Sequence, residues 1–300
     1  MFKKINTLFY LILTCYLCLG IFLSINTGIS HDEYHEQLNW EINLKSIKDF
    51  FLTGLYQDLI EYKDRYHGIG FNIISQPFQF IFKDLVSSYL NLDEPAISFF
   101  TEPSSSLYGS IYISKHIIVF VLFFISGLFL YSICKILLKD KTFSIISLFI
   151  FYLYPYLFGH AHFNPKDVPF LSFWIINTYF LLRIFQKFAL EKQITFKIII
   201  YFAFSTAILI SIRIVGLLIL IQYLIFFLVY FENSNKKLSD FVKSNKLNFL
   251  NFILLTSFFI FIMNPIFWHD PFEILNSLKY MSKYKQDVCT LTLGDCMKSI

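Results

Sequence analysis

A short polar island, Gly159-His160-Ala161-His162-Phe163-Asn164-Pro165-Lys166-Asp167-Val168-Pro169-Phe170, separates two long apolar runs. Its imidazoles, amide, ammonium and carboxylate are groups that hold anions or move protons. In hydrocarbon each charge would cost roughly 2.5–3.5 kcal/mol even on a lenient insertion scale, so the island belongs at a membrane surface. Pro165 and Pro169 end the flanking helices and keep the turn extended. Other unusual groups stand at the ends of apolar runs. They are His31, Asp32, Glu33, His35 and Glu36 after the first run, Arg213 inside a later one, and Trp268, His269 and Asp270 after the last. Adjacent carboxylates at such a surface can take a proton from a hydroxyl. Arg213 and Lys166 can hold a phosphate, one as a planar fork and the other as a point charge. Together these parts suit group transfer from a lipid-linked phosphate to a hydroxyl, with cations stabilising the departing phosphate. For any one of these charges a solvated interface anchor is the simpler reading; the set as a whole points to function.

The surrounding chain must carry these groups to one face. Of 300 residues, 56% are hydrophobic and 15% charged, whereas soluble domains carry about 25% charged residues. A polytopic, all-α membrane protein follows. No basic run suits nucleic acid and no glycine-rich loop suits a nucleotide. A lipid donor removes the need for a nucleotide fold, since its tail stays in the bilayer. The abundant Phe fits lipid-facing helices better than a cofactor site. Cys15 and Cys18 lie within the first apolar run, where C-x-x-C without other ligands is better read as lipid-facing than as redox or metal-binding. Cys289 and Cys296 fall in the final segment, where a local disulfide would be compatible with an oxidising side.

Seven spans are expected. The first is Leu8–Ile25, uncleaved, with Lys3 and Lys4 on the cytoplasmic side. Ile117–Leu138, Phe143–Phe158 and Phe170–Phe185 follow, with Lys135, Lys139, Lys141, Arg183 and Lys187 gathered at alternate ends. Ile198–Tyr230 would be roughly 50 Å long as one helix, too long for a core of about 30 Å. A hairpin with Arg213 and Gly216 at its outer tip also leaves the lysine-rich 233–246 segment cytoplasmic. Leu247–Met263 is the last span. Between the first two, 31–113 reads as a long outer loop. It has helical apolar spacing over Ile47–Tyr62 (Phe50, Phe51, Leu55, Leu59) and Phe71–Leu90, a pattern of interfacial helices or of helices packed on a small soluble core. Asp93–Ser106 reads as loop, and Ile274–Tyr284 as another interfacial helix. Residues 1–300 form a single transmembrane domain, with 264–300 a partial outer segment.

On these residues a family resemblance can be stated. His31-Asp32-Glu33-Tyr34-His35 resembles the acidic first-loop motif of protein O-mannosyltransferases. The wider arrangement is similar to polyprenyl-phosphate-dependent glycosyltransferases of the GT-C class, including aminoarabinose transferases. Asn164-Pro165-Lys166-Asp167-Val168-Pro169 resembles the short second outer loop of bacterial members. Ser211-Ile212-Arg213-Ile214-Val215-Gly216 and the 264–271 stretch fit as well. The resemblance implies a lipid-linked sugar donor, a hydroxyl acceptor on protein, lipid or glycan, and a membrane lipid surrounding. It implies Asp32 as catalytic base, with Glu33 its neighbour in the acceptor or donor site. Lys166, Asp167 and Arg213 would line the donor-phosphate pocket. His35, His160, His162, Asn164, Trp268 and His269 are further donor- or acceptor-binding candidates. Some members of the class use a divalent metal, for which His160, His162 and Asp32 could supply ligands; hydrogen-bonding roles are the alternative. Members also carry further spans and a C-terminal outer domain, so a fragment or truncated form is expected. The composition suits a bacterial inner membrane, with the site facing the periplasm. A transporter or lipid flippase would use the same charges along a path, yet they gather at one face and no repeated half is visible. A scaffold and an outer-face acyltransferase are the remaining alternatives.

Overall fold

The computed structural model describes residues 2–90, 105–190, 193–234, 238–283, 289–292 and 295–298. The apolar helices are α1 (Phe2–Ile25), α5 (Ser105–Leu138), α6 (Lys141–Leu153), α8 (Asp167–Ala189), α9 (Phe196–Ile212), α10 (Ile219–Glu232) and α12 (Lys246–Met263). Five stretches are long and apolar enough to cross a membrane: Thr7–Ile25, Gly109–Leu138, Asp167–Ala189, Ile214–Glu232 and Lys246–Met263. Lys141–Leu153 and Phe196–Ile212 are apolar but shorter. The chain is an all-α polytopic membrane protein. Lipid-facing side chains such as Leu250, Leu254 and Phe258 are at least half exposed along α12, as hydrocarbon as solvent requires.

The expected hairpin is present. α9 ends at Ile212, a 3₁₀ turn spans Ile214–Leu218, and α10 follows. The Phe202 and Tyr223 rings meet tilted at 4.9 Å, and Thr206 Oγ1 lies 2.9 Å from Tyr223 Oη, so the two helices run antiparallel from the Arg213 tip. A Cβ on Gly216 would lie 2.8 Å from the Leu209 carbonyl oxygen, so the turn closes only over glycine.

Three expectations need correction. The Phe143–Phe158 span is broken: α6 stops at Leu153 and α7 (Pro155–His160) restarts with Pro155 in its first turn, where its missing N–H costs nothing. The helix of the second span begins upstream of Ile117, its apolar stretch running Gly109–Leu138, and α5 with 34 residues is about 51 Å long. Its Ser105 end therefore projects beyond a hydrocarbon core of about 30 Å. The third correction concerns 47–62, which is not one helix. α2 (His31–Thr53) ends at Gly54 in the left-handed region (φ +75°), and a short α3 (Gln57–Glu61) follows.

α2 packs inward through polar residues rather than an apolar stripe. Glu33, Gln37, Asn39, Asn43 and Ser46 are buried, whereas Phe51 and Leu55 are 76% and 71% exposed. Trp40 Nε1 donates to Gln76 on α4 (Gly70–Leu90) at 2.8 Å, and Asn39 Nδ2 donates to the His67 carbonyl at 2.9 Å. α5 lies centrally, packed against α1, α4, α6 and α8, and α9 packs on α4, α8 and α12. Beyond α12 come α13 (Ile266–His269) and α14 (Glu273–Lys283), the latter where an interfacial helix was expected; α11 (Leu238–Ser244) precedes α12. Two short antiparallel strands, β1 (Cys289–Thr292) and β2 (Asp295–Lys298), complete the elements, with Leu291 opposite Cys296. The side chains of Cys289 and Cys296, on which the expected disulfide turns, and most of the Asp93–Ser106 loop lie outside what the structure describes.

Candidate functional site

Three helix ends meet at the island. α2 begins at Ser30 because Ser30-x-x-Glu33 forms a capping box, the Glu33 carboxylate accepting from the Ser30 N–H at 2.7 Å. Asp32 and Glu33 in the first turn also suit the positive end of the helix dipole. α8 begins at Asp167 because Asn164 folds back on it. Asn164 Oδ1 accepts from the Lys166 and Asp167 N–H groups at 3.0 and 2.8 Å, and its Nδ2 donates to Asp167 Oδ2 at 3.1 Å. The third end is that of α9, which carries Arg213.

Ion pairs join these ends. Lys166 Nζ donates to Glu36 Oε1 at 2.7 Å with both side chains largely buried. Arg213 Nη2 lies 2.6 Å from Asp167 Oδ1 in a more open pair, 39% and 60% exposed. Among the described residues, Arg213 Nε is buried with no hydrogen-bond partner, a donor left over in a polar site. Asp32 is exposed and precedes Glu36 by one helical turn, so the two carboxylates share a face of α2. The structure thus groups Glu36, Asn164, Lys166, Asp167 and Arg213, with Asp32 one turn away. His160 joins through a 3.2 Å contact between its Nδ1 and Asn164 Nδ2.

The loop before α4 completes this floor. A Cβ on Gly68 would lie 2.1 Å from the Ser211 carbonyl oxygen, and one on Gly70 2.7 Å from the Ser211 carbonyl carbon. Two glycines therefore let the loop touch the end of α9 and bring His67 into the field of the ion pairs. Burial lowers the His67 pKa, and Lys166 adds to that, while Glu36 and Asp64 oppose it. Asn264 Nδ2 donates to Ser211 Oγ at 2.8 Å and fastens the segment after α12 to the same end.

Other expected site residues stand elsewhere. Glu33 is 1% exposed and faces inward, its Oε2 2.6 Å from His116 Nε2. His162 is buried, stacked on Phe120 at 5.1 Å and edge-on to Phe158 at 4.8 Å, its Nδ1 2.9 Å from Ser24 Oγ. Burial, and then nearby His116, pushes the His162 pKa down to about 4, so the ring is neutral near pH 7. Trp268 donates to the Phe261 carbonyl at 2.8 Å and packs on Phe50 and Phe51, apart from the ion pairs. His35 and His269 are exposed. Sequence reasoning missed Lys115 and His116, both buried on α5; two adjacent ionisable groups at the mouth of an apolar run were the signal. Among the described residues, no three His, Cys, Asp or Glu side chains gather as metal ligands. His162 is buried under Phe120 while Asp32 is exposed on α2, so His160, His162 and Asp32 are not brought together around a divalent ion.

Comparison with known proteins bears on what this site does. The model of the family described as dolichyl-phosphate-mannose-protein mannosyltransferase matches residues 93–263, more than half of the chain. The match covers α5 through α12, hence the island and Arg213, and begins after α2. No curated protein and no solved structure matches the chain.

Proposed function

The chain belongs to the dolichyl-phosphate-mannose-protein mannosyltransferase family, and from that premise we propose how it moves a sugar from a polyprenyl phosphate to a hydroxyl at the outer membrane face. It is an integral membrane glycosyltransferase with a lipid-linked sugar donor. Asp32 is the general base. Its carboxylate takes the acceptor's hydroxyl proton as that oxygen bonds to the anomeric carbon. The bond from this carbon to the phosphate oxygen breaks, and polyprenyl phosphate departs with the electron pair. Lys166 and Arg213 hold that phosphate, replacing the contacts they make with Glu36 and Asp167.

One observation carries this reading. Lys166 is bound to Glu36, a single turn from Asp32, and stands next to the Asp167–Arg213 pair. A base and two phosphate-binding cations therefore border one place. The unpartnered Arg213 Nε adds a donor for a phosphate oxygen. Lysines and arginines collect at the opposite ends of the spans, at Lys135, Lys139, Lys187 and Lys243. That bias supports a site facing the periplasm of a bacterial inner membrane.

The test uses labelled polyprenyl-phosphate mannose as donor with membranes carrying the protein. Asp32→Asn should abolish transfer while insertion stays normal. Wild-type turnover in that variant would exclude Asp32 as the base.

A further inference from the structure

Lys115 and His116 are neighbours on α5, 1% and 0% exposed, and the reaction just described uses neither. Each grips one residue of α2. His116 Nε2 meets Glu33 Oε2 at 2.6 Å, and Lys115 Nζ donates to Gln37 Oε1 at 2.6 Å. Glu33 and Gln37 are one turn apart and so form one stripe of α2. Asp32 and Glu36 each precede a gripped residue by a single position, which puts them on the adjoining stripe, about 100° around the helix. Holding the first stripe against α5 therefore fixes both the rotation and the height of the second.

Burial keeps Glu33 from a substrate, and each of its oxygens is engaged within the fold. One oxygen accepts from the Ser30 N–H at 2.7 Å and the other faces His116. His116 Nδ1 lies 3.3 Å from the Ser24 carbonyl, which can only accept, so that nitrogen carries a proton. One further proton sits between Nε2 and Glu33. The pair is sealed from water, and sealed pairs fix geometry more than they add stability.

We propose that Glu33, His116 and Lys115 are positioning residues, holding α2 on α5 so that Asp32 is presented to the Lys166–Arg213 pair. The inference rests on the reading of Asp32 as base, and its test separates the two. Glu33→Gln is the informative variant. The amide oxygen still accepts from Ser30, and the amide N–H can donate to Nε2 of a neutral His116, so the grip survives without its charge. In the donor assay, His116→Ala and Glu33→Ala should lower kcat by about 100-fold, the scale of a 1 Å misplacement, with donor KM within about twofold. Glu33→Gln should recover kcat to within about threefold of wild type. A second readout needs no substrate. Cysteines placed at Asp32 and Lys166 and treated with a short bifunctional thiol reagent should cross-link less in the His116→Ala background and regain the yield in Glu33→Gln. Glu33→Gln as inactive as Asp32→Asn, or an unchanged cross-link in His116→Ala, would overturn the proposal. Should His116→Ala fail to accumulate, Glu33→Gln decides through the same two measurements. Wild-type turnover in Asp32→Asn sinks the base assignment alone, and the cross-link still judges the grip.

Discussion

Replacing Arg213 by Ala separates a structural from a functional role, because the structure sets two very different magnitudes. Arg213 touches Asp167 at 2.6 Å, but the side chains are 39% and 60% exposed. Two unit charges about 4 Å apart in water interact by only about 1 kcal/mol, and exposed pairs measure about 0.2–1 kcal/mol. Loss of this pair should therefore lower the unfolding midpoint by no more than about 4 °C. A hydrogen bond to a charged phosphate is worth more, about 1.5–3 kcal/mol. At 1.4 kcal/mol per decade, that is roughly 10- to 100-fold in donor kcat/KM. Arg213→Lys keeps the charge without the fork and should fall between. Scanning fluorimetry of the detergent-purified variants gives the first quantity, and initial rates against polyprenyl-phosphate mannose give the second. A donor dependence like that of wild type would refute the phosphate role. A midpoint depressed far beyond 4 °C would show that Arg213 is holding the fold.

Two further outcomes follow from the same geometry. Gly68→Ala must open a 2.1 Å contact with the Ser211 carbonyl oxygen, a backbone group that cannot swing aside; it should cost about 1–3 kcal/mol and reduce turnover by moving the floor beside Arg213, with unchanged stability arguing against the close approach. His162 is neutral in the fold, with its pKa lowered to about 4 against about 6.5 unfolded. The unfolded chain then binds more protons between these values, so His162 adds stability above about pH 6.5 that is lost as pH falls toward 4. His162→Gln, which can still reach Ser24, should flatten the unfolding midpoint against pH across that window, and a slope identical to wild type would refute the assignment.

Much of the site was legible because charge is conspicuous in an apolar sequence. The island and the Arg213 tip were found from charges that hydrocarbon would not tolerate, and the structure joins them through Asp167. What escaped was the layer above the bilayer. There α2 is held by Glu33, Gln37, Asn39 and Trp40, so apolar periodicity no longer marks the buried face; of the apolar residues it picked out, Leu59 is buried and Phe50 packed, but Phe51 and Leu55 are exposed. The start of α2 was nonetheless written in Ser30-x-x-Glu33. His160 and His162 look equivalent in sequence, yet a single turn of chain sends one toward Asn164 and the other under Phe120. Nothing local in Gly159-His160-Ala161-His162 distinguishes them, since the difference arises from α1 and α5 arriving from elsewhere. Gly68 and Gly70 gave no sign of their role either, because the atoms they accommodate belong to Ser211, remote in sequence.

Ser24 closes the outer end of α1 with both of its oxygens. Its carbonyl meets His116, 92 residues on, and its hydroxyl meets His162, 138 residues on. The helix synthesised first thus completes its contacts only when the third apolar helix and the loop after it have been made. Tyr16 adds to this, donating to the Tyr152 carbonyl at 2.9 Å and lying against Phe120 and Tyr152, although only 17% of the apolar window of α1 is buried by protein. Maturation of the entrance to the site is therefore a late event of biogenesis, and a nascent chain released before the island should leave α1 packed on α5 but without the Ser24–His162 bond.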